Sequence, residues 1–129
     1  MQDAYQTENA CRGLDDPERF ISPEVSSLSY GDVCYINSLS QRAKAKADSS
    51  TTLPGVAIHV GHHQAQYSGL FTKHDWAWTP GNLLYVSDTT AGALTASAPT
   101  TGGTYKQAVA VAITATTILF LPSLYMVAN

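Results

Sequence analysis

The pattern of hydrophobic and polar positions along the chain is that of short strands separated by close turns. Val56, Ile58 and Val60 alternate with other residues at a period of two, which is typical of a β-strand with one face in a core. Shorter apolar runs at 33–36 and 117–121 are bounded by turn or helix-breaking residues. The close spacing of the turns favours an all-β fold, either a small barrel or a sandwich.

The stretch 76–87 is predicted to be the centre of the fold. Trp76 and Trp78 are the only two tryptophans, and in an extended strand they project from one face. Pro80-Gly81 supplies a turn, and an apolar run containing Tyr85 follows. We therefore expect Trp76, Trp78 and Tyr85 to anchor the core. The alternative use of the two indoles, stacking against a sugar, is less favoured than a place on a core strand.

The clearest alternation of the chain lies at 106–114. Val109, Val111 and Ile113 share one face and alanines occupy the other. Both faces are apolar, so the sequence predicts a strand that is buried on both sides. Weaker strands are predicted at 67–71 (broken by Gly69), 93–98 and 124–127.

The segment 43–47 alternates alanine with lysine. Lys44 and Lys46 point to solvent if the segment is a strand, and lysines of this kind discourage unwanted pairing at a sheet edge. A short Ala/Lys helix is the alternative that residue propensity alone allows.

Two halves of the chain echo each other. Residues 31–37 and 81–87 match position by position in residue type, from a glycine through an apolar run to a small polar residue. Each stretch is followed by small residues, a threonine-rich loop and then Val-Ala-Ile. We infer two similar β units packed into one domain.

Residues 1–26 differ in composition from the rest and are predicted to be an N-terminal arm preceding a domain at 27–129. They hold six of the ten acidic residues, too many to form a core of their own. A single helical turn near 15–20 is compatible with Asp16-Pro17. The arm is either a loose end or an extended segment that orders on a partner; four large side chains favour contact with a partner, namely Tyr5, Leu14, Phe20 and Ile21.

The composition narrows the class of partner. Charged residues make up 13% of the chain, about half the usual share, and the net charge is −3. An acidic chain argues against nucleic acid as a partner. No apolar run approaches the ~20 residues that span a bilayer, and no secretion signal is visible. Cys11 and Cys34 are expected to be free thiols of a chain made in a reducing cytoplasm, with a disulfide as the alternative.

The residues offer little chemistry. His59, His62, His63 and His74 lack the ligand spacing and the neighbouring cysteines or carboxylates of a zinc site. The serines lack a Gly-x-Ser-x-Gly nucleophile motif. We expect no enzyme activity, no cofactor and no metal.

Several motifs together resemble a module of tailed-bacteriophage structural proteins. The resemblance covers roughly residues 28–122, outside the arm, and its main motifs are Trp76-x-Trp78-Thr79-Pro80-Gly81, Leu83-Leu84-Tyr85-Val86-Ser87, Gly31-Asp32-x-x-Tyr35, Pro54-Gly55-Val56-Ala57, Gly92-x-Leu94-Thr95, Ala98-Pro99-Thr100, Val109-x-Val111-Ala112 and Ile118-Leu119-Phe120-x-Pro122. The module is similar to that of capsid decoration (cement) proteins and of head- or tail-fibre domains.

The resemblance implies a β-barrel or β-tulip-like domain, commonly trimeric, that binds the major capsid protein and stabilises the head. It implies a location on the outer surface of the virion after synthesis in the host cytoplasm. The arm, with Tyr5, Leu14, Phe20 and Ile21, is then expected to contact the capsid. A fibre or receptor-binding domain that recognises host glycans is the alternative, and a small hydrolase is disfavoured because no nucleophile motif is present.

Overall fold

The computed structural model describes residues 19–21, 28–61 and 64–129, with backbone alone at 19–21. The described chain is all-β, as predicted, and its one helical segment is a 3-10 turn at Ser50–Thr52. The strands are β1 (Arg19–Ile21), β2 (Val33–Ile36), β3 (Arg42–Lys44), β4 (Ala57–Gly61), β5 (Gln64–Gln66), β6 (Gly69–Thr72), β7 (Leu83–Val86), β8 (Leu94–Thr95), β9 (Tyr105–Lys106), β10 (Ala108–Ala112), β11 (Thr117–Phe120) and β12 (Val127–Ala128).

Two five-stranded antiparallel sheets form the body. Sheet A has the order β1-β5-β4-β2-β3, and sheet B has the order β6-β11-β10-β7-β8. A third small sheet pairs β12 with β9 near the end of the chain. Neither large sheet closes on itself, so the fold is sandwich-like rather than a barrel.

The predicted pair of similar units is confirmed by the topology, but the two Val-Ala-Ile segments are not equivalent, because Ile58 and not Val56 has the register position of Val111. In sheet A, β1 lies at one edge, β2 pairs with β3 and β4, and β5 lies between β4 and β1. In sheet B, β6, β7, β8, β10 and β11 occupy the same five positions in the same order.

The equivalence extends to single hydrogen bonds. Gly31 and Gly81 have φ of 91° and 90°. Their N–H groups donate to the carbonyls of His59 (3.0 Å) and Ala112 (2.7 Å), which occupy matching positions in β4 and β10.

The core lies between the two sheets. Val33 and Ile58 of sheet A pack into one cluster with Leu84, Ile118 and other buried residues of sheet B. The side chains of Phe71, on the edge strand β6, and Phe120, on β11, meet edge to face with ring centroids 6.0 Å apart. This shared cluster holds the two units together as one domain.

Four backbone hydrogen bonds between described residues also join the two units, and one of them runs from Tyr105 N–H to the Ala47 carbonyl (2.9 Å). Gly92 N–H donates to the Ala45 carbonyl (2.7 Å), and the Gly92 carbonyl accepts from Val33 N–H (2.9 Å). Ala47 N–H donates to the Ser87 carbonyl (2.8 Å). The segment after β3 is therefore extended, and the helical alternative for 43–47 is wrong. β3 is an edge strand of sheet A, as predicted, but Lys46 lies beyond it and both lysines are only partly exposed.

The predicted strand through Trp76 and Trp78 is not formed. These residues lie in an irregular connection between β6 and β7, where Trp76 N–H donates to the Lys73 carbonyl and Trp78 N–H to the Ala115 carbonyl. Their backbone bonds go to loops because no strand lies alongside to form a ladder. The two indoles still share one side of the chain, as the spacing predicted, with Ala77 exposed on the other.

Other predicted strands are shorter than the sequence suggested. Gly69 begins β6 instead of interrupting a strand, because Tyr67-Ser68 carries the chain from sheet A to sheet B. Only Leu94–Thr95 of 93–98 is paired, and the C-terminal pairing falls at Val127–Ala128.

The N-terminal arm is partly joined to the domain. Three of its residues, Arg19–Ile21, form β1 and pair antiparallel with β5 of the same chain, so the single helical turn considered near 15–20 does not extend over Phe20. The remaining arm residues 1–18 and 22–26 lie outside the described residues.

Candidate protein-binding surface

An aliphatic row crosses the outer face of sheet B. Leu70, Leu119, Val111 and Leu83 are direct cross-strand partners on β6, β11, β10 and β7. Alternation along each strand turns these four side chains away from the core, whereas Phe71, Ile118, Ala112 and Leu84 turn into it. We call these four residues, together with Ile113 and Leu121, the apolar stripe.

The apolar stripe is open to solvent in the single chain. The exposed fractions are 65% for Leu70, 52% for Leu83, 48% for Ile113 and 60% for Leu121. A shallow groove of about 230 Å³ runs between Leu83, Val111, Leu119 and Leu121. Isolated exposed leucines are ordinary on protein surfaces, but a contiguous row of them in register marks an interaction site.

The strands that carry the stripe contain no charged residue. The sequences of β6, β7, β8, β10 and β11 hold only aliphatic, aromatic, glycine and threonine residues. The cores of protein interfaces are depleted of charge in the same way, and contacts between identical subunits more than most. An uncharged surface can also lie against a copy of itself without electrostatic repulsion.

The internal repeat allows the outer face of sheet B to be compared with the equivalent face of sheet A. Val33 and Ile58 of sheet A occupy the register positions of Leu83 and Val111 in sheet B. In sheet A that face is fully buried in the core. The two units therefore pack head to tail, and the face that sheet A buries within the chain is left open on sheet B.

The opposite end of the molecule is already closed. Cys34, Ala57 and Ala65 on the second face of sheet A are fully buried, and His59 is 5% exposed. The second face of sheet A is therefore not available to a second chain. The apolar stripe of one chain cannot pack on sheet A of another chain in the way that the two sheets pack within one chain. A symmetric contact between like stripes remains, as in closed cyclic oligomers.

The burial energy of the stripe suits an association between copies. Its four most exposed side chains, roughly half buried already, gain on the order of 5 kcal/mol per chain when covered. Association itself costs about 4–15 kcal/mol. Two or more chains that bury their stripes together offset this cost, whereas a single stripe against a polar surface does not.

The strand at 108–112 corrects one expectation. It was predicted to be buried on both sides, but Val111 is only partly buried and Ile113 is 48% exposed. The prediction failed because an apolar face need not be covered within its own chain. A register shift between Ala108 and Ala110 also places Val109 in the core.

The residues expected to anchor the core are peripheral to it. Trp76 and Trp78 are partly exposed and pack against the margin of the core cluster. Tyr85 alternates with the buried Leu84 and Val86, which places it on the outer face of sheet B beside Leu83. Of the proposed arm contacts, Phe20 and Ile21 lie in β1, while Tyr5 and Leu14 fall outside the described residues.

Two buried polar residues escaped the sequence analysis. Arg42 is fully buried and its Nη1 donates to Nδ1 of His59 at 3.1 Å. Gln107 is fully buried and bonds both backbone groups of Gly55. No local pattern marks either residue, because their partners are distant in sequence.

The described residues show no cluster suited to metal binding. No group of three or more histidine, cysteine or acidic side chains comes together within 28–61 and 64–129. His59 is committed to Arg42, and His74 is exposed in a turn. His62, His63 and Cys11 lie outside the described residues, so the thiol prediction for Cys11 and Cys34 stays a prediction.

Comparisons with known proteins identify no relative. No protein-family model, no curated protein and no solved structure matches the chain. Within the part of the chain that the structure describes, no helix has the length and apolar character needed to cross a bilayer.

Proposed function

We propose that the protein is a capsid decoration (cement) protein of a tailed bacteriophage. It binds the outer surface of the major capsid protein lattice as a homo-oligomer, for which the motif resemblance favours a trimer, and stabilises the head. The single observation that carries the proposal is the uncharged apolar stripe across sheet B. It favours a protein whose work is permanent contact with other protein subunits.

The motif resemblance supplies the identity of the assembly, and the stripe supplies the mode of association. The stripes of neighbouring copies cover each other around the symmetry axis. The acidic arm then remains available for the capsid. Its negative charge is attracted to basic residues of the lattice and orients the protein on them.

The copy number in the virion tests this proposal. Quantitative mass spectrometry of purified particles is expected to find the protein in numbers comparable to the major capsid protein. A decoration protein covers a lattice, whereas a fibre domain occupies a few vertices. A handful of copies per particle contradicts the proposal and favours the receptor-binding alternative.

Deletion of residues 1–18 is expected to weaken attachment to naked capsids about tenfold or more, while the domain stays folded. The cut lies before β1, so sheet A keeps its edge strand. Extended arms add affinity by pairing backbone with a partner and placing large side chains in its pockets. Co-sedimentation with undecorated capsids measures the binding.

A full-length chain with Tyr5→Ser and Leu14→Ser serves as the matched control for this deletion. It keeps the length and charge of the arm and is expected to lose part of the affinity, since two of the large contacts are removed. Equal capsid binding by the truncated and full-length chains contradicts a role for the arm.

A further inference from the structure

A cleft separate from the apolar stripe lies where the two units meet. Its volume is about 350 Å³, within the range of small-molecule sites. It is lined by the start of β2, the end of β3, the 90–94 loop and the connection from β6 to β7. We call it the tryptophan cleft, because Trp76 and Trp78 form one of its walls.

The aromatic wall is held in place by the fold. The ring centroids of Trp76 and Trp78 are 6.1 Å apart with their planes inclined at 48°. Both side chains pack against the core on one side and remain partly exposed on the other. The exposed indole surface is therefore rigid. A ligand that stacks on this surface does not pay a conformational entropy cost for ordering the two side chains.

Charged side chains also line the cleft. The Nζ of Lys44 lies 3.8 Å from Oδ2 of Asp32, which already accepts from Ser29 N–H at 2.8 Å. The Nζ of Lys73 lies 3.8 Å from Oδ1 of Asp75. Both ammonium distances exceed a normal hydrogen bond, so each lysine keeps donors to offer a ligand.

Two glycines keep the space open. A Cβ at Gly92 would lie 3.2 Å from the Asp32 carboxyl group and 3.3 Å from Lys44 Cδ. A Cβ at Gly31 would lie 3.3 Å from Lys73 Cδ. Both residues have positive φ, so any side chain here is strained as well as crowded.

Trp78, which lines the cleft, also carries a buried donor without a partner in the described part of the chain. The indole N–H of Trp78 is buried and has no hydrogen-bond partner among the described residues. A buried donor without a partner is costly, and in native proteins it calls for an explanation.

We propose that the tryptophan cleft binds a sugar residue that carries a carboxylate. The C–H face of a pyranose ring suits the electron-rich face of an indole, and its hydroxyl groups suit Asp32 and the lysine donors. Lys44 and Lys73 form 3.8 Å ion pairs with Asp32 and Asp75, so these four groups carry no net charge. Neither pair is within normal hydrogen-bond distance, so both ammonium groups can still donate to a ligand carboxylate.

This activity goes beyond capsid decoration and does not depend on it. The cleft uses residues outside the apolar stripe and outside the arm, so self-association and capsid binding can each succeed or fail without it. On a decorated head, such a site would give the particle a weak affinity for acidic surface polysaccharides.

Intrinsic fluorescence tests the proposal without a label, because both tryptophans of the chain line the cleft. Methyl β-D-glucuronide, methyl β-D-galacturonide and the methyl α-glycoside of sialic acid are titrated into the full-length protein. At least one is expected to shift or quench the emission with a Kd of about 1 mM, as befits a ligand of this size. Methyl β-D-glucoside, the neutral match of the first probe, is expected to bind at least about fivefold more weakly.

The matched variants separate the cleft from its surroundings. The double variant Lys44→Ala, Lys73→Ala is expected to weaken binding of the acidic probe about tenfold. Lys46→Ala, two residues along and paired with Asp48 at 3.1 Å outside the cleft, is expected to leave it unchanged. Circular dichroism confirms that both variants are folded.

Three outcomes overturn the proposal. One is unchanged emission with all three acidic probes at about 20 mM, well above the expected Kd. Another is equal affinity for the glucuronide and the neutral glucoside, and the third is undiminished binding by the double lysine variant.

Discussion

Gln107→Ala is expected to lower the free energy of unfolding by about 3–5 kcal/mol, a large part of the stability of a small domain. Gln107 is fully buried, and its Oε1 accepts from Gly55 N–H at 2.8 Å. Its Nε2 donates to the carbonyls of Gly55 (2.8 Å) and Ser123 (2.6 Å). Truncation removes the side-chain partner of both backbone groups of the buried Gly55 and of the partly buried Ser123 carbonyl. Guanidinium unfolding monitored by circular dichroism measures the loss.

Two further variants identify the cause of that loss. Gln107→Glu keeps the shape of the side chain and its acceptor for Gly55 N–H, but it replaces the donor that serves two carbonyls with a second oxygen. If the hydrogen bonds matter more than the side-chain volume, Gln107→Glu is expected to lower the free energy of unfolding as much as Gln107→Ala does. Gln41→Ala, on a half-buried side chain in a turn, is expected to cost below about 1 kcal/mol. Similar losses at positions 41 and 107 contradict the assignment of Gln107 as a structural link.

Leu83→Lys is expected to weaken self-association at least about 100-fold without unfolding the chain. Leu83 lies at the β7 end of the cross-strand row of the apolar stripe and is half exposed in the single chain, so a lysine there is solvated in the monomer. In the oligomer, the same lysine is buried against uncharged strands with no partner. Sedimentation velocity over a concentration series measures the change.

Leu39→Lys is the matched control for this substitution. Leu39 is 74% exposed in the turn between β2 and β3 of sheet A, away from the stripe. Like Leu83→Lys, the Leu39→Lys substitution removes an exposed leucine and adds one positive charge. It is expected to leave self-association unchanged. Equal effects at positions 39 and 83 would show that net charge, not the stripe, governs association.

The sequence was informative about local features that repeat. The match of 31–37 with 81–87 predicted two equivalent units, because the same glycine and the same apolar run impose the same turn and strand. The alternation at 43–47 predicted an edge segment with lysines outward. In both cases the deciding interactions lie within a few residues of each other.

The sequence was uninformative about which apolar face is covered. Alternation at 108–112 assigns residues to two faces, but only the tertiary packing decides that Ala110 and Ala112 are inside and Val111 is partly exposed. For Leu70, in β6, the sequence likewise did not show whether the side chain faces the core or the solvent. The stripe becomes visible only when four strands from separate parts of the chain are aligned in register.

Buried polar residues and irregular segments were the other source of error. Polarity alone places Gln107 on the surface, yet its amide bonds Gly55, which is 52 residues earlier. Trp76 and Trp78 have the spacing of strand residues, but the neighbouring strand that would complete a ladder is missing at that place in the described fold. A strand depends on its partner as much as on its own residues.

The mass of the wild-type protein in solution tests the central claim most directly, namely that the apolar stripe joins copies of this chain. Light scattering coupled to size exclusion at about 100 μM, far above a micromolar dissociation constant, is expected to give a multiple of the 13.8 kDa chain mass, with three copies as the favoured value. A single mass of 13.8 kDa at that concentration would contradict the account.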